Sequence, residues 1–272
     1  MKVPFFCSIA AGLALGLASG TAQAISLTGG LYVENFDSMG PSGTVPPADW
    51  VSDPSGADNP PTALGLPSGP SANIGNNGYN AGRIAGNVGD GDRALGVYGG
   101  GIGDTRQIRA TFTNDTGSAV ASFSLFYDLE IWYFRFGSGS PRSGGFGLLL
   151  DGVDLGATFD SAASNATLDA ALPGGSGLWL TDPISVLNVG GTITPAAPIA
   201  PGASFTLTWD ATQFEPELAP GNSRHAVVGL DNVRINFGST APTAPAIPEP
   251  ASMLLGSMAI VPLFMRRRAA RV

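Results

Sequence analysis

Short runs of alternating apolar and polar residues, separated by turn-forming residues, recur along the chain from residue 25 to residue 237. Alternation with a period of two predicts β-strands, because successive strand side chains point to opposite faces of a sheet. In the longest run, residues 121–136, six apolar residues from Phe123 to Tyr133 fall on one predicted face, and Asp128, Glu130 and Trp132 fall on the other. The predicted strands are residues 31–36, 94–98, 107–113, 121–136, 145–150, 184–189, 204–209 and 226–237.

These runs indicate an all-β fold, an antiparallel β-sandwich in which two sheets pack face to face. Residues 41–91 are rich in Gly, Pro, Asn and Ser and have no such alternation, so we expect a long ordered loop region there. The composition agrees, because 39 Gly and 22 Pro in 272 residues disfavour long helices, while 43% hydrophobic residues are enough for a core. Residues 25–237 are therefore predicted to form one domain.

Acidic and basic residues are distributed unevenly. Lys2 is the only lysine, and four of the arginines lie between Arg266 and Arg271. Residues 25–246 carry 20 acidic and 8 basic residues, a net charge of −12. So acidic a surface repels phosphate backbones, which argues against nucleic acid as a partner.

The first 24 residues have the pattern of a secretory signal peptide. Lys2 precedes an apolar run, and the small residues Ala22 and Ala24 form a cleavage site. We expect a signal helix, export through the Sec translocon, and cleavage by signal peptidase after Ala24. A short membrane anchor is the alternative. The only cysteine, Cys7, lies in this segment, so no disulfide is expected in the mature chain.

Residues 247–272 contain a second three-part pattern: a Pro-Glu-Pro motif, an apolar run at 251–265, and three consecutive arginines. A helical run of this length spans about 22 Å, less than the hydrocarbon core of a bilayer. The arginines would stay on the cytoplasmic side. A plain tail anchor is the alternative to a processed signal. The motif residues are Pro248, Glu249, Pro250, Arg266, Arg267 and Arg268.

This pattern resembles the PEP-CTERM sorting signal of exported proteins in Gram-negative bacteria that make exopolysaccharide. The resemblance implies that an exosortase is a partner and that a short C-terminal hydrophobic transmembrane helix holds the precursor in the membrane transiently. It also implies that the mature protein resides at the cell surface or in the extracellular biofilm matrix. Residues 238–246, rich in Pro, Ala and Thr, are predicted to be a linker between the domain and this signal.

The predicted domain also resembles the jelly-roll or concanavalin-like domains of such exported proteins. The matching segments occur in order at residues 34–37, 93–96, 112–117, 130–132, 200–202, 209–210 and 230–233. The resemblance implies that fold and brings no assigned activity. Residues 43–80 contain no matching pattern.

Little in the sequence points to an enzyme. His225 is the only histidine, and the chain contains neither a Gly-x-Ser-x-Gly elbow nor a His-Glu-x-x-His motif. Asp128 and Glu130 lie two residues apart on one predicted face, a spacing that suits the paired carboxyls of a glycoside hydrolase. That activity on polysaccharide is the alternative function. Otherwise Glu130 is expected to make a hydrogen-bonded or ionic contact with Arg109 or Arg135 as candidate partners, or to line a face that contacts sugar.

Acidic residues on the first and last predicted strands suggest a structural calcium ion, because calcium prefers oxygen ligands. Jelly-roll carbohydrate-binding modules, which the domain resembles, often hold calcium there. The turn at residues 90–92 is a second candidate. The predicted ligands are Glu34, Asp37, Asp231 and Asn232.

Four aromatic residues are candidates for contact with polysaccharide, because flat ring faces pack against sugar rings. Burial in the core is the alternative for each of them. The sequence as a whole predicts a secreted, non-enzymatic protein that binds or supports exopolysaccharide, or a purely structural matrix protein. The candidate residues are Trp50, Tyr79, Tyr98 and Trp132.

Overall fold

The computed structural model describes residues 24–53, 63–67, 78–99, 106–135, 145–162, 178–211 and 225–237. The predicted linker, the sorting segment and the signal segment up to residue 23 lie outside these ranges. Within the described ranges, no helix has the length and hydropathy that a bilayer crossing requires. The strands are β1 (Ile25–Leu27), β2 (Leu31–Glu34), β3 (Trp50–Asp53), β4 (Gly78–Gly82), β5 (Arg93–Gly99), β6 (Gln107–Asn114), β7 (Phe123–Arg135), β8 (Gly145–Leu150), β9 (Val153–Asp154), β10 (Ser161–Ala162), β11 (Leu178–Ile193), β12 (Ser204–Asp210) and β13 (His225–Asn236).

The described strands form two sheets. The seven-stranded sheet has the order β1-β6-β12-β8-β10, with β3 also paired to β6 and β9 to β8. The six-stranded sheet has the order β11-β7-β13-β5-β4, with β2 also paired to β13. Strand β1 runs parallel to β6, whereas the other pairs of named strands are antiparallel.

The main hydrophobic core lies between the two sheets. Its side chains come from alternate positions of the strands, as the buried and half-buried positions of β6 illustrate. Rings from opposite sheets meet directly: Tyr127 of β7 contacts Trp209 of β12 edge-on at 6.0 Å between ring centroids, and Phe123 of β7 contacts Phe205 of β12 at 5.4 Å. Each large apolar side chain buried here contributes about 1.5–3 kcal/mol. The predicted two-sheet all-β architecture is confirmed.

Each of the eight predicted strands corresponds to an observed strand, with differences at the ends. The largest difference is in β11, which begins at Leu178 instead of at residue 184. The structure also differs from the prediction in residues 41–91, where β3 and β4 lie within the expected loop region. Strand β4 is buried along its whole length, and β3 has only four residues, so neither has the polar alternation that reveals a half-exposed strand.

Candidate functional site

A second cluster of buried side chains lies on the outer face of the six-stranded sheet, on the side away from the main core. Four of its rings form a closed cycle of contacts. Ring centroids are 6.2 Å apart for Tyr79 and Tyr98, 6.3 Å for Tyr98 and Tyr133, 6.2 Å for Tyr133 and Trp179, and 6.0 Å for Trp179 and Tyr79. Trp132 belongs to the same cluster. We call these five residues the outer aromatic cluster.

A β-bulge in β7 brings two neighbouring rings to this face. Val227 of β13 pairs with Tyr133, whereas the next residue, Val228, pairs with Ile131, so Trp132 is the extra residue. A bulge breaks the strict alternation of side chains along a strand. As a result Tyr133, which the alternation predicts on the core face, joins Trp132 in the outer aromatic cluster.

Small residues form the floor beneath the rings. A Cβ atom at Gly96 would lie 3.1 Å from Cβ of Ala81 and 3.2 Å from Cβ of Tyr79. A Cβ atom at Gly229 would lie 2.9 Å from Cβ of Ala94. Larger side chains at these positions would therefore crowd Ala81, Ala94 and Tyr79.

Two carboxyl groups on the same sheet face as the rings are buried and have raised pKa values. Glu130 accepts a hydrogen bond from Nε1 of Trp132 at 2.8 Å. Burial, followed by the charge of Asp92, raises the pKa of Glu130 from 4.5 to about 7. Burial, followed by the charge of Glu130, raises the pKa of Asp231 from 3.8 to about 9. Asp231 is therefore protonated at neutral pH, and Glu130 is partly so.

The expected hydrogen bond of Glu130 is present, and its partner among the described residues is Trp132. Arg109 lies on the seven-stranded sheet and pairs with Asp53 at 3.1 Å. The side chain of Arg135 lies outside the described part of the chain. The strand alternation decides this outcome, because Glu130 and Trp132 share the outer face of β7.

Asp128 stabilises two β-bulges that flank it. Its Oδ1 accepts a hydrogen bond from the backbone N–H of Asn188 at 2.6 Å, and its Oδ2 accepts one from Nδ2 of Asn232 at 3.0 Å. Both asparagines have positive φ, 57° and 49°, and each lies where the strand register shifts. Since both Asp128 oxygens are engaged, a role as the free base of a glycoside hydrolase has no support from this geometry.

The four predicted calcium ligands are not brought together. Glu34 lies on β2 opposite Val233, so the first and last predicted strands are adjacent as expected. However, Oε1 of Glu34 accepts the N–H of Phe36 at 2.7 Å, and Oδ1 of Asp37 accepts the N–H of Arg93 at 3.0 Å. Oδ2 of Asp231 accepts Nδ2 of Asn232 at 2.8 Å.

Among the described residues, no three Asp, Glu, His or Cys side chains are grouped to hold a metal ion. The second calcium candidate, the turn at residues 90–92, contacts Arg93 instead. The guanidinium NH1 of Arg93 donates to the carbonyl oxygen of Asp90 at 3.3 Å, and this arginine is fully buried. The Asp90 carboxylate in turn accepts the backbone N–H of Gly86 at 2.7 Å, so this turn provides acceptors for the protein's own donors.

Three of the four aromatic residues predicted to contact polysaccharide, Tyr79, Tyr98 and Trp132, lie in the outer aromatic cluster. Trp50 does not, because it packs in the main core against Phe36 and donates to the hydroxyl of Tyr32 at 3.1 Å. None of the four is more than 5% exposed, so their rings pack against protein in this structure.

Tyr133 and Trp179 also belong to the cluster, although they are not among the aromatic residues predicted to contact polysaccharide. Trp179 precedes the predicted strand at 184–189, and its Nε1 donates to the carbonyl oxygen of Gly82 at 2.8 Å. Tyr133 is aromatic and follows Trp132 directly in the sequence, which is the one sign that it could belong to the cluster. The alternation of apolar and polar residues instead predicts Tyr133 on the core face.

No protein-family model matches the chain, and no curated protein is similar to it in sequence. Among solved structures, the CBM22-1 xylan-binding domain of Paenibacillus barcinonensis Xyn10C is 11% identical, with a TM-score of 0.34 over 81% of this chain and 100% of that one. A carbohydrate-binding module specific for non-crystalline cellulose, CBM28, is 13% identical, with a TM-score of 0.32 over 53% of this chain and 75% of that one.

The catalytic domain of a GH87 α-1,3-glucanase is 12% identical, with a TM-score of 0.29 over 81% of this chain and 31% of that one. Similarity at this level carries no assignment of ligand or activity.

Proposed function

We propose that this protein is exported, sorted by an exosortase, and binds exopolysaccharide without cleaving it, on a jelly-roll or concanavalin-like domain. The observation that supports binding is the outer aromatic cluster, a cycle of rings on the face of a sheet that is not needed to close the main core. The sequence pattern of residues 247–272 supports the sorting part of the proposal.

The chemistry of the cluster suits a neutral sugar. Ring faces pack against the apolar C–H faces of pyranose rings, while polar groups beside them select the hydroxyls. A protonated carboxyl such as that of Asp231 both donates and accepts a hydrogen bond, and it adds no charge that a neutral ligand would have to compensate. Because the rings contact one another in this structure, a bound glycan would have to replace ring–ring contacts by ring–sugar contacts.

The four tryptophans allow a direct test, because two lie in each cluster: Trp50 and Trp209 in the main core, Trp132 and Trp179 in the outer aromatic cluster. The paired variants W50F/W209F and W132F/W179F would be titrated with soluble neutral polysaccharides and with the producing organism's own exopolysaccharide. We expect an emission shift in W50F/W209F, whose remaining tryptophans are in the outer cluster, and none in W132F/W179F. Equal shifts in both, or none in either, would contradict binding at this face.

The same titration addresses the glycoside hydrolase alternative, which would use Asp128 and Glu130. If the wild-type protein released reducing ends from the polysaccharide and Glu130→Gln did not, the protein would be a glycoside hydrolase and not only a binding protein. We expect no release from either protein, because both oxygens of Asp128 are occupied by Asn188 and Asn232.

A further inference from the structure

A cleft of about 650 Å³ lies at the end of the molecule opposite to the outer aromatic cluster. It is bordered by the turn between β1 and β2, by the segment that leads into β7, and by the last described residue, Phe237. Ser124, near the start of β7, lines it, whereas Tyr133 of the outer aromatic cluster lies nine residues further along the same strand. At about 3.3 Å per residue, the two places are roughly 30 Å apart.

The lining of the cleft is polar without being charged. Among the described residues that border it, none is ionisable. Phe237 is half-buried and packs edge-on against Phe123 at 5.2 Å, which leaves part of an aromatic ring at the wall. Hydroxyl groups come from Thr28, Thr116, Ser118, Ser122, Ser124 and Thr192.

One of these hydroxyls has no partner. Ser124 is 6% exposed, and its Oγ makes no hydrogen bond. A buried hydroxyl without a partner is unfavourable, so a ligand group that forms a hydrogen bond with it gains affinity. Ser124 is one of the residues that line the cleft, so this unpartnered hydroxyl lies beside the cleft.

A cleft elsewhere in the molecule serves as an internal comparison. It has the same volume of about 650 Å³ but is bordered mainly by apolar residues such as Leu150, Leu155 and Pro198. Thr194 borders this apolar cleft, while Thr192, two residues earlier, borders the hydroxyl-lined one. Volume alone therefore does not distinguish the two clefts, but hydrogen-bonding capacity does.

We propose that the hydroxyl-lined cleft is a second binding site, which takes a neutral sugar of one or two residues. Its volume is in the range of small-molecule sites, its hydroxyls match those of a sugar, and the absence of charge among its described lining residues disfavours phosphorylated or uronic-acid ligands. Combined with the proposed function of the outer aromatic cluster, this site would let one domain hold two glycan chains at opposite ends. The existence of the site does not depend on that combination.

The test uses the mature chain and the methyl glycosides of glucose, galactose, mannose and xylose, with binding measured by saturation-transfer NMR. We expect saturable, millimolar binding of at least one of them. Ser124→Ala and Thr192→Val should each weaken it about three- to tenfold, the loss of one hydrogen bond. The matched control Thr194→Val should bind as the wild type does.

Two further measurements separate this site from the outer aromatic cluster. Binding in the cleft should be unchanged in W132F/W179F, and it should be insensitive to salt because no charge takes part. Ser124→Ala removes an unpartnered hydroxyl and should fold at least as stably as the wild type, so weaker binding by this variant reports on the site itself.

The proposal is overturned if none of the four glycosides binds at roughly 50 mM. It is equally overturned if Ser124→Ala and Thr192→Val bind like the wild type, or if W132F/W179F abolishes the binding. Persistence of binding in W132F/W179F, together with no emission shift in the polysaccharide titration, would support the cleft and contradict the proposed function.

Discussion

Glu130 and Asp231 are carboxyl groups on the outer face of a sheet, where burial favours their protonated forms. An unfolded chain would ionise them at ordinary pKa values of 4.5 and 3.8, whereas the folded protein holds the proton up to about 7 and about 9. The folded state therefore binds more protons than the unfolded state between these limits. The contribution of these two groups to the free energy of unfolding is fully present in acid, and it is lost as the pH rises through this window.

Asp231→Asn should remove most of the loss of stability that the wild type shows as the pH rises. Because an amide does not ionise, we expect the variant to exceed the wild type in free energy of unfolding by at least about 1 kcal/mol at pH 8, with a gain that shrinks toward pH 4. Urea denaturation across this pH range measures it. Asp182→Asn is the control, since that side chain is 67% exposed and should change stability little at any pH. A gain at pH 8 no larger than at pH 4 would contradict the assignment.

The fully buried Arg93 holds the edge of the six-stranded sheet. Its Nε donates to Oδ1 of Asn80 at 2.7 Å, NH2 donates to the carbonyl oxygen of Asn80 at 2.7 Å, and NH1 donates to the carbonyl oxygen of Arg83 at 2.8 Å. This planar fork cannot be reproduced by an ammonium group.

Arg93→Lys should therefore lower the free energy of unfolding by about 2–4 kcal/mol, because the buried acceptors lose their donors. Denaturation in urea measures the change. Arg83→Lys is the matched control, since the Arg83 side chain is 30% exposed and pairs with the exposed Asp182. Equal losses of stability in the two variants would show that the hydrogen bonds of the Arg93 guanidinium stabilise the protein no more than those of the exposed Arg83.

At the scale of elements, the pairing of β11 with β7 depends on a glycine that lies two residues beyond the bulge at Asn188. Gly190 has φ of 142°, and a Cβ atom there would lie 2.0 Å from the carbonyl oxygen of Leu125. Backbone atoms cannot move aside as a flexible side chain can. The neighbouring Gly191 has room, because its nearest contact would be 3.6 Å from Cγ2 of Thr158.

Gly190→Ala should lower the free energy of unfolding by more than about 2 kcal/mol, whereas Gly191→Ala should stay within about 1 kcal/mol of the wild type. Thermal or urea denaturation distinguishes them. Comparable stability of the two variants would mean that the strand register beside this bulge differs from the one described.

At the scale of the whole molecule, the proposed sorting signal is tested by replacing Pro248, Glu249 and Pro250 with alanine. We expect an unprocessed precursor held in the membrane, because the recognition motif would be missing while the apolar run and its arginines remain. Fractionation followed by mass measurement of the chain reports the outcome. The matched control replaces Pro242 and Pro245 of the linker and should be processed normally. If the motif variant were released from the membrane as the wild type is, this result would contradict the proposed sorting.

The sequence by itself determined where eight of the thirteen described strands form, because alternation along a run of residues is a local property that does not depend on which strand pairs with it. It also determined the acidic character of the domain and the shared face of Glu130 and Trp132. It could not assign Trp50 to the main core and Tyr79 to the outer aromatic cluster, since both residues lie in short strands without a polar alternation.

Only the tertiary structure decided the features that depend on register between distant strands. The bulge at Trp132, which turns Tyr133 outward, follows from pairing with Val227 and Val228 almost a hundred residues later. The engagement of Asp128 by Asn188 and Asn232 follows from two further bulges in neighbouring strands. A register is set by the packing of all strands together, so no local pattern contains it.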